Sequence, residues 1–151
     1  MTVVSVTCLF AQSTFSVKYL GEASLGSFAP HSIKVEADYN RETFILSSPS
    51  PISQITHIVE SKYITNGATV DYLLPPTSSA SQSFELFHLK VTWTAYQNGY
   101  LISRVHTFND LQISSANSGN EIDLTIVGAR IRLKAISSGS HITYQVTLQT
   151  Y

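Results

Sequence analysis

The stretch Glu121-Ile-Asp-Leu-Thr-Ile-Val-Gly-Ala-Arg-Ile-Arg-Leu-Lys-Ala-Ile-Ser-Ser-Gly-Ser-His-Ile-Thr-Tyr-Gln-Val-Thr-Leu-Gln-Thr150 decides how this chain folds. Apolar and polar side chains alternate through it with a period of two, which sorts them onto the two faces of extended strands. Pairing Ala129 to Ala135 with Ile142 to Leu148 across a Ser138-Gly139 turn sets Ala135 opposite Ile142, Leu133 opposite Tyr144, Ile131 opposite Val146 and Ala129 opposite Leu148. The other face then matches Lys134, Arg132 and Arg130 with Thr143, Gln145 and Thr147, so a one-residue slip buries three charges. Upstream, Ile122, Leu124 and Ile126 fall opposite Leu133, Ile131 and Ala129, bringing Glu121 against Lys134 and Asp123 against Arg132. A two-residue turn is expected to force Val127 toward positive φ, which a β-branched residue resists, so a wider bend or a change of sheet is expected near Gly128. The three strands make one antiparallel meander with Ile122, Leu124, Ile131, Leu133, Tyr144 and Val146 buried. The basic stripe is a solvated face with cross-strand partners, not a phosphate site.

The same alternation runs through the rest of the chain. Strands are expected near 2–10, 14–20, 31–37, 43–46, 55–60, 69–74, 84–96, 100–107, 121–126, 129–136 and 141–149, separated by Gly-, Pro-, Asn- and Ser-rich turns. No window of 11 or more residues has helical periodicity. At Gln97-Asn98-Gly99 a three-residue hairpin loop pairs Ala95 with Leu101 and Val91 with Val105, leaving Trp93 opposite Ser103 as core filling, with a sugar-stacking surface as the other reading. Pro75-Pro76 and the Ser-rich run after it form the best internal boundary, yet either side alone is small for an independent core. The expected fold is all-β, an antiparallel β-sandwich or jelly-roll, with residues 1–151 as a single domain and under about 10% helix.

Nine basic and ten acidic residues among 151 give a formal charge of -1, which removes the net-charge case for binding nucleic acid or an anionic membrane. Charged residues make up only 13% of the chain, about half the usual share, and Ser and Thr take their place. Such a surface loses little side-chain entropy when immobilised against other subunits. No apolar run reaches the roughly 18 residues of a membrane span. Val3 to Ala11, broken by Ser5 and Thr7 and lacking a basic leader, reads as a strand and not a signal peptide. The lone Cys8 cannot close an internal disulfide and reads as a small core residue.

Chemistry is hard to find. His31, His57, His88, His106 and His141 show no metal-ligand spacing, although His88 and His106 can become neighbours across the central hairpin. The seven glycines are scattered through turns and make no phosphate loop, and there is no Gly-x-Ser-x-Gly elbow. Glu36 with Asp38, and Glu121 with Asp123, each share one strand face, unlike carboxylates facing each other across a glycosidase cleft. No catalytic, cofactor-binding or metal residues are expected, and the chain reads as a non-enzyme without cofactors. The residues of a glycan or partner contact are unknown from sequence.

The segment Ala68-Thr-Val-Asp-Tyr-Leu-Leu-Pro-Pro-Thr-Ser-Ser-Ala-Ser-Gln-Ser-Phe-Glu-Leu86, the run Leu89 to Phe108, and Glu121 to Tyr151 resemble the β-sandwich modules of bacteriophage head-decoration and tail-fibre proteins. The shared features are a Leu-Pro step before a Ser-rich loop and a closing strand, glycine, strand, Ser-Gly turn and strand. The resemblance implies a structural virion subunit, a capsid decoration or tail accessory protein assembled in the host cytoplasm. Such a subunit acts through contacts with other virion proteins and with its own copies, a trimer being the favoured homo-oligomer. Thr2 to Phe10, without a single charge, is expected to be covered by the fold or by a neighbouring chain. The alternative is a carbohydrate-binding, lectin-like module, since tyrosine with Ser, Thr and Asn also builds glycan surfaces.

Overall fold

The computed structural model describes residues 14–45, 52–73 and 81–151; the strand expected at 2–10, with Cys8, lies outside the described residues. Period-two alternation resolves into β1 (Thr14–Gly21), β2 (Ser32–Ile45), β3 (Ile52–Thr65), β4 (Thr69–Leu73), β5 (Ser81–Gln97), β6 (Tyr100–Phe108), β7 (Glu121–Ile126), β8 (Ala129–Ser138) and β9 (His141–Thr150), with α1 (Asp110–Asn117) between β6 and β7. They form two sheets, ordered β4-β1-β9-β8-β7 and β3-β2-β5-β6. The fold is an all-β sandwich. All pairings are antiparallel except β1 with β9, which run parallel from Thr14 opposite His141 to Gly21 opposite Leu148. Parallel neighbours need a long crossover, and here most of the chain provides it.

The inward faces of both sheets make one core. Phe15, Val17, Tyr19, Ile131, Leu133, Tyr144 and Val146 of the first sheet meet Ile33, Val35, Tyr39, Leu89, Val91 and Trp93 of the second. Buried tyrosines reach acceptors: Tyr19 Oη donates to Pro30 O at 2.7 Å, and Tyr72 Oη donates to Val35 O across the sandwich. Burial holds the Tyr144 phenol up at about 12, so it stays neutral. Gly21 marks a close approach, since a Cβ there would lie 2.6 Å from Ala29 Cβ and 2.8 Å from Tyr19 Oη.

The C-terminal meander forms as expected, and β7 pairs with β8 in the expected register, Ile122 with Leu133 and Leu124 with Ile131. Its turn is tight, however. Val127 keeps a negative φ while Gly128 takes +77°, as in a type II turn, so no wider bend or sheet switch is required. Between β8 and β9 the register is two residues away from the expected one: Ile131 faces Leu148, Leu133 faces Val146 and Ala135 faces Tyr144. A shift of two keeps every side chain on its face. It moves the turn to Gly139-Ser140, where Gly139, at φ +60°, occupies the position that excludes other residues.

The β5–β6 hairpin departs further. Asn98 and Gly99 both take positive φ, 52° and 79°, and form a two-residue type I′ turn, so Gln97 pairs with Tyr100 and Trp93 with Arg104. This one-residue difference from the expected loop turns β6 over. Ile102, Arg104 and His106 face the sandwich interior, and Leu101 and Val105 face out. Two further features differ from the sequence reading. Residues 32–45 are one strand rather than two, paired throughout with β3. The segment after Phe108 is a helix because Asn109 caps it, its side chain accepting from Gln112 N while the Gln112 side chain accepts from Asn109 N.

Candidate functional site: a sheet face with apolar edges

The outward face of the second sheet is built from alternate residues of four strands, and its two outer strands, which put Ile58, Ile64, Ile102 and Phe108 into the core, turn further apolar side chains outward. On β3 the inward positions include Thr56, Glu60 and Lys62, while Ile55, Val59 and Tyr63 point out. Lys62 is accommodated on this side because its Nζ reaches Glu60 at 3.3 Å, donates to Asp71 O at 2.5 Å and stands 5.2 Å from the centroid of the Tyr72 ring. On β6 the pattern repeats with Arg104 and His106 inward. Val59 and Val105 are 54% and 51% exposed, and Ile55, Tyr63, Leu101 and the β5 residue Tyr96 are more so.

Between these apolar flanks runs a charged band on β2 and β5. Register places Tyr63, Lys34, Thr92 and Val105 in one row, Val59, Asp38 and His88 in a second, and Ile55, Glu42 and Ser83 in a third. Lys34 and Lys90 lie toward one end of the band, with Glu36 opposite Lys90, and Glu42 and Glu85 toward the other. His57 bonds Asp38 at 2.6 Å, and Ser53 donates to Glu42 at 2.7 Å. His88 and His106 do not come together: His88 stands on this outer face beside Asp38, while His106 lies inside opposite Val91.

A second polar cluster lies on the outward face of the first sheet. Ser16 Oγ donates to Asp71 Oδ1 at 2.5 Å and stands 2.7 Å from His141 Nε2, whose Nδ1 is 2.7 Å from Thr14 Oγ1. Serine has one proton to give, so with that proton on Asp71 the His141 Nε2–H donates to Ser16 and Nδ1 accepts from Thr14. Nucleophilic catalysis needs the opposite polarity, with imidazole taking the serine proton and the carboxylate on the far ring nitrogen. Ser16 is moreover 1% exposed. The chain of bonds ties β4, β1 and β9 together at the parallel pair.

The acids singled out in the sequence find partners. Asp123 holds Arg130 through two oxygens, at 3.0 and 2.5 Å, and Arg132 reaches Glu121 at 3.5 Å and also pairs with Glu22. Glu36 accepts from Ser61. The Arg130 guanidinium beside Asp123 holds that carboxyl below the usual carboxylate range. Trp93 is buried, as the core-filling reading expected. Among the described residues no group of three His, Cys, Asp or Glu is placed to hold a metal ion, and no helix is long and apolar enough to cross a membrane.

His106 gives a pH dependence. Its ring packs edge-on to Phe108 at 4.7 Å, its Nε2 is buried without a partner among the described residues, and burial pushes its pKa below the ordinary 6.5. The unfolded chain therefore takes up this proton first. Stability is whole above about pH 6.5 and falls as the pH drops from there toward the folded-state value. The urea midpoint is expected to fall between pH 7.5 and pH 5.5, and His106→Gln is expected to reduce that fall; an equal fall in both proteins rules out His106 as the source.

What the apolar-edged face contacts has to be read from its own chemistry, because no protein-family model, curated protein or solved structure matches the chain.

Proposed function

We propose that this protein is a structural subunit that acts by contact, of the virion accessory type that residues 68–151 resemble, and that the outward face of the β3-β2-β5-β6 sheet is where a second copy docks. The observation that carries the reading is the set of apolar side chains that β3 and β6 turn outward, Ile55, Val59, Tyr63, Leu101 and Val105, all more than half exposed. Apolar side chains turned outward along two edge strands cost hydration unless something covers them. The charge layout favours a copy of the same chain. Turning a second molecule end for end about an axis across the strands, through the row of Val59 and Asp38, sets Lys34 and Lys90 over Glu42 and Glu85. The same rotation places Tyr63 over Ile55, Val59 over its own copy, and Asp38, whose carboxylate is bonded to His57 at 2.6 Å, over its own copy. Such a contact is isologous and two-fold. The trimer expected from the sequence requires a heterologous contact, joining two different patches, and a single self-complementary face favours the dimer.

Light scattering coupled to size exclusion tests this. The wild-type chain is expected to run as a dimer, and Val59→Asp as a monomer with an unchanged far-UV circular dichroism spectrum. An aspartate there adds carboxylates beside Asp38 and its copy at the axis while leaving the sandwich interior untouched. A wild-type monomer at all concentrations, or a Val59→Asp dimer of undiminished strength, overturns the reading.

A further inference from the structure

At the end of the sandwich where the β5–β6 and β7–β8 turns approach each other, a small cleft of about 140 Å³ opens between the sheets. Trp93, Arg104, Gln97, Tyr96 and Tyr151 are among its lining residues. Trp93 is 2% exposed, and its Nε1 is buried with no hydrogen-bond partner among the described residues. Thr92 and Thr94 point outward, so the indole lies on the inter-sheet side, the side of this cleft. Arg104 stands directly opposite on β6. Its guanidinium donates to Gln97 Oε1 at 2.8 Å and, among the described residues, has no carboxylate partner. Buried indole donors are ordinarily paired. Here one such donor and a half-buried guanidinium that meets no carboxylate line one cleft.

We infer that this cleft binds a carboxylate carried on a sugar ring. A carboxylate matches both groups at once, since it accepts two parallel bonds from a guanidinium and still has lone pairs for an indole N–H. The cleft is below the roughly 300 Å³ of ordinary ligand pockets, so it holds the carboxylate and the carbon that bears it while the rest of the ligand lies outside. At the rim are the rings of Tyr96, which is steadied edge-on by Phe28 at 5.7 Å, and of Tyr151, both more than half exposed. A hydroxylated ring lying on two tyrosines fits that rim better than a bare alkyl chain does. The inference does not rest on the proposed dimer: of the residues named here only Tyr96 also belongs to the apolar flanks of that face, and Trp93 and Arg104 face the inter-sheet side.

The chain has one tryptophan, so a ¹⁵N-labelled sample shows a single indole N–H cross-peak that reports this cleft alone. Titration with glucuronate is expected to move that peak saturably, while glucose leaves it in place and acetate moves it only at much higher concentration. Arg104→Gln is expected to weaken glucuronate by about tenfold or more, the loss of a charge-assisted hydrogen bond. Tyr151→Ala, at a side chain that is 58% exposed and outside the core, is expected to weaken glucuronate but not acetate. An unmoved peak with every carboxylate overturns the site. Glucose acting as strongly as glucuronate overturns the carboxylate, and acetate acting as strongly as glucuronate overturns the sugar ring.

Discussion

Replacing Ile131 by Asp is expected to abolish the cooperative thermal transition of this protein. Ile131 is fully buried at the centre of β8, between Leu124 on β7 and Leu148 on β9. Losing its side chain alone forfeits about 2–5 kcal/mol. An unpaired carboxylate in its place adds a desolvation cost of several kcal/mol, because the neighbouring inward groups are apolar and offer no donor. Together these fall within the range of the whole net stability of a typical domain, about 5–15 kcal/mol. Thr125→Asp, outward and exposed on the next strand, is the control and is expected to change the midpoint by only a few degrees. Differential scanning calorimetry separates the two. A transition in Ile131→Asp close to the wild-type midpoint would show that β8 does not lie between β7 and β9 as described.

That prediction rests on the part of the chain most legible in the sequence, and the reason is physical. In residues 121–150 three strands carry matched apolar and charged faces, so only registers that keep every face together survive. Alternation cannot distinguish a register from one shifted by two, which is why the β8–β9 pairing differed while its buried set did not. It also cannot say which face turns inward. On β6, Leu101 and Val105 compete with Ile102 for the interior, and the decision belongs to the turn, where Asn98 and Gly99 both tolerate positive φ and close a two-residue loop. The apolar-edged face was therefore hidden: its residues look like core residues until the turn geometry is known. On β3 the same ambiguity holds between Ile55, Val59 and Tyr63 on one side and Ile58 and Ile64 on the other. α1 is eight residues long, too short for a periodic signal, and only the Asn109–Gln112 capping box announces it. The Asp71–Ser16–His141 chain joins residues more than fifty positions apart and needs the parallel β1–β9 pair, which local pattern does not reveal.

Phe15→Ala is expected to be the most damaging large-to-small change among the aromatic residues. The Phe15 ring is fully buried and joins both sheets. It lies 5.6 Å from Tyr72 and 6.0 Å from Tyr144 on its own side of the sandwich, and 5.0 Å from Tyr39 and 4.7 Å from Phe84 across it. Truncation removes the transfer energy of the ring and leaves a cavity that four large rings cannot readily collapse into, for a loss of about 3–5 kcal/mol. The edge-on contacts with Tyr39 and Tyr144 contribute beyond area burial, each about 0.5–1.5 kcal/mol. In a chain of this size the midpoint is expected to drop by roughly 10 °C or more. Phe15→Leu refills most of the volume without the ring edges and is expected to lose less than half as much. Thermal unfolding followed by near-ultraviolet circular dichroism distinguishes the two contributions, because the aromatic cluster itself produces the signal. Equal losses in the two variants would show that ring geometry, not volume, holds the sheets together at this point. No loss in either would remove Phe15 as the joint between them.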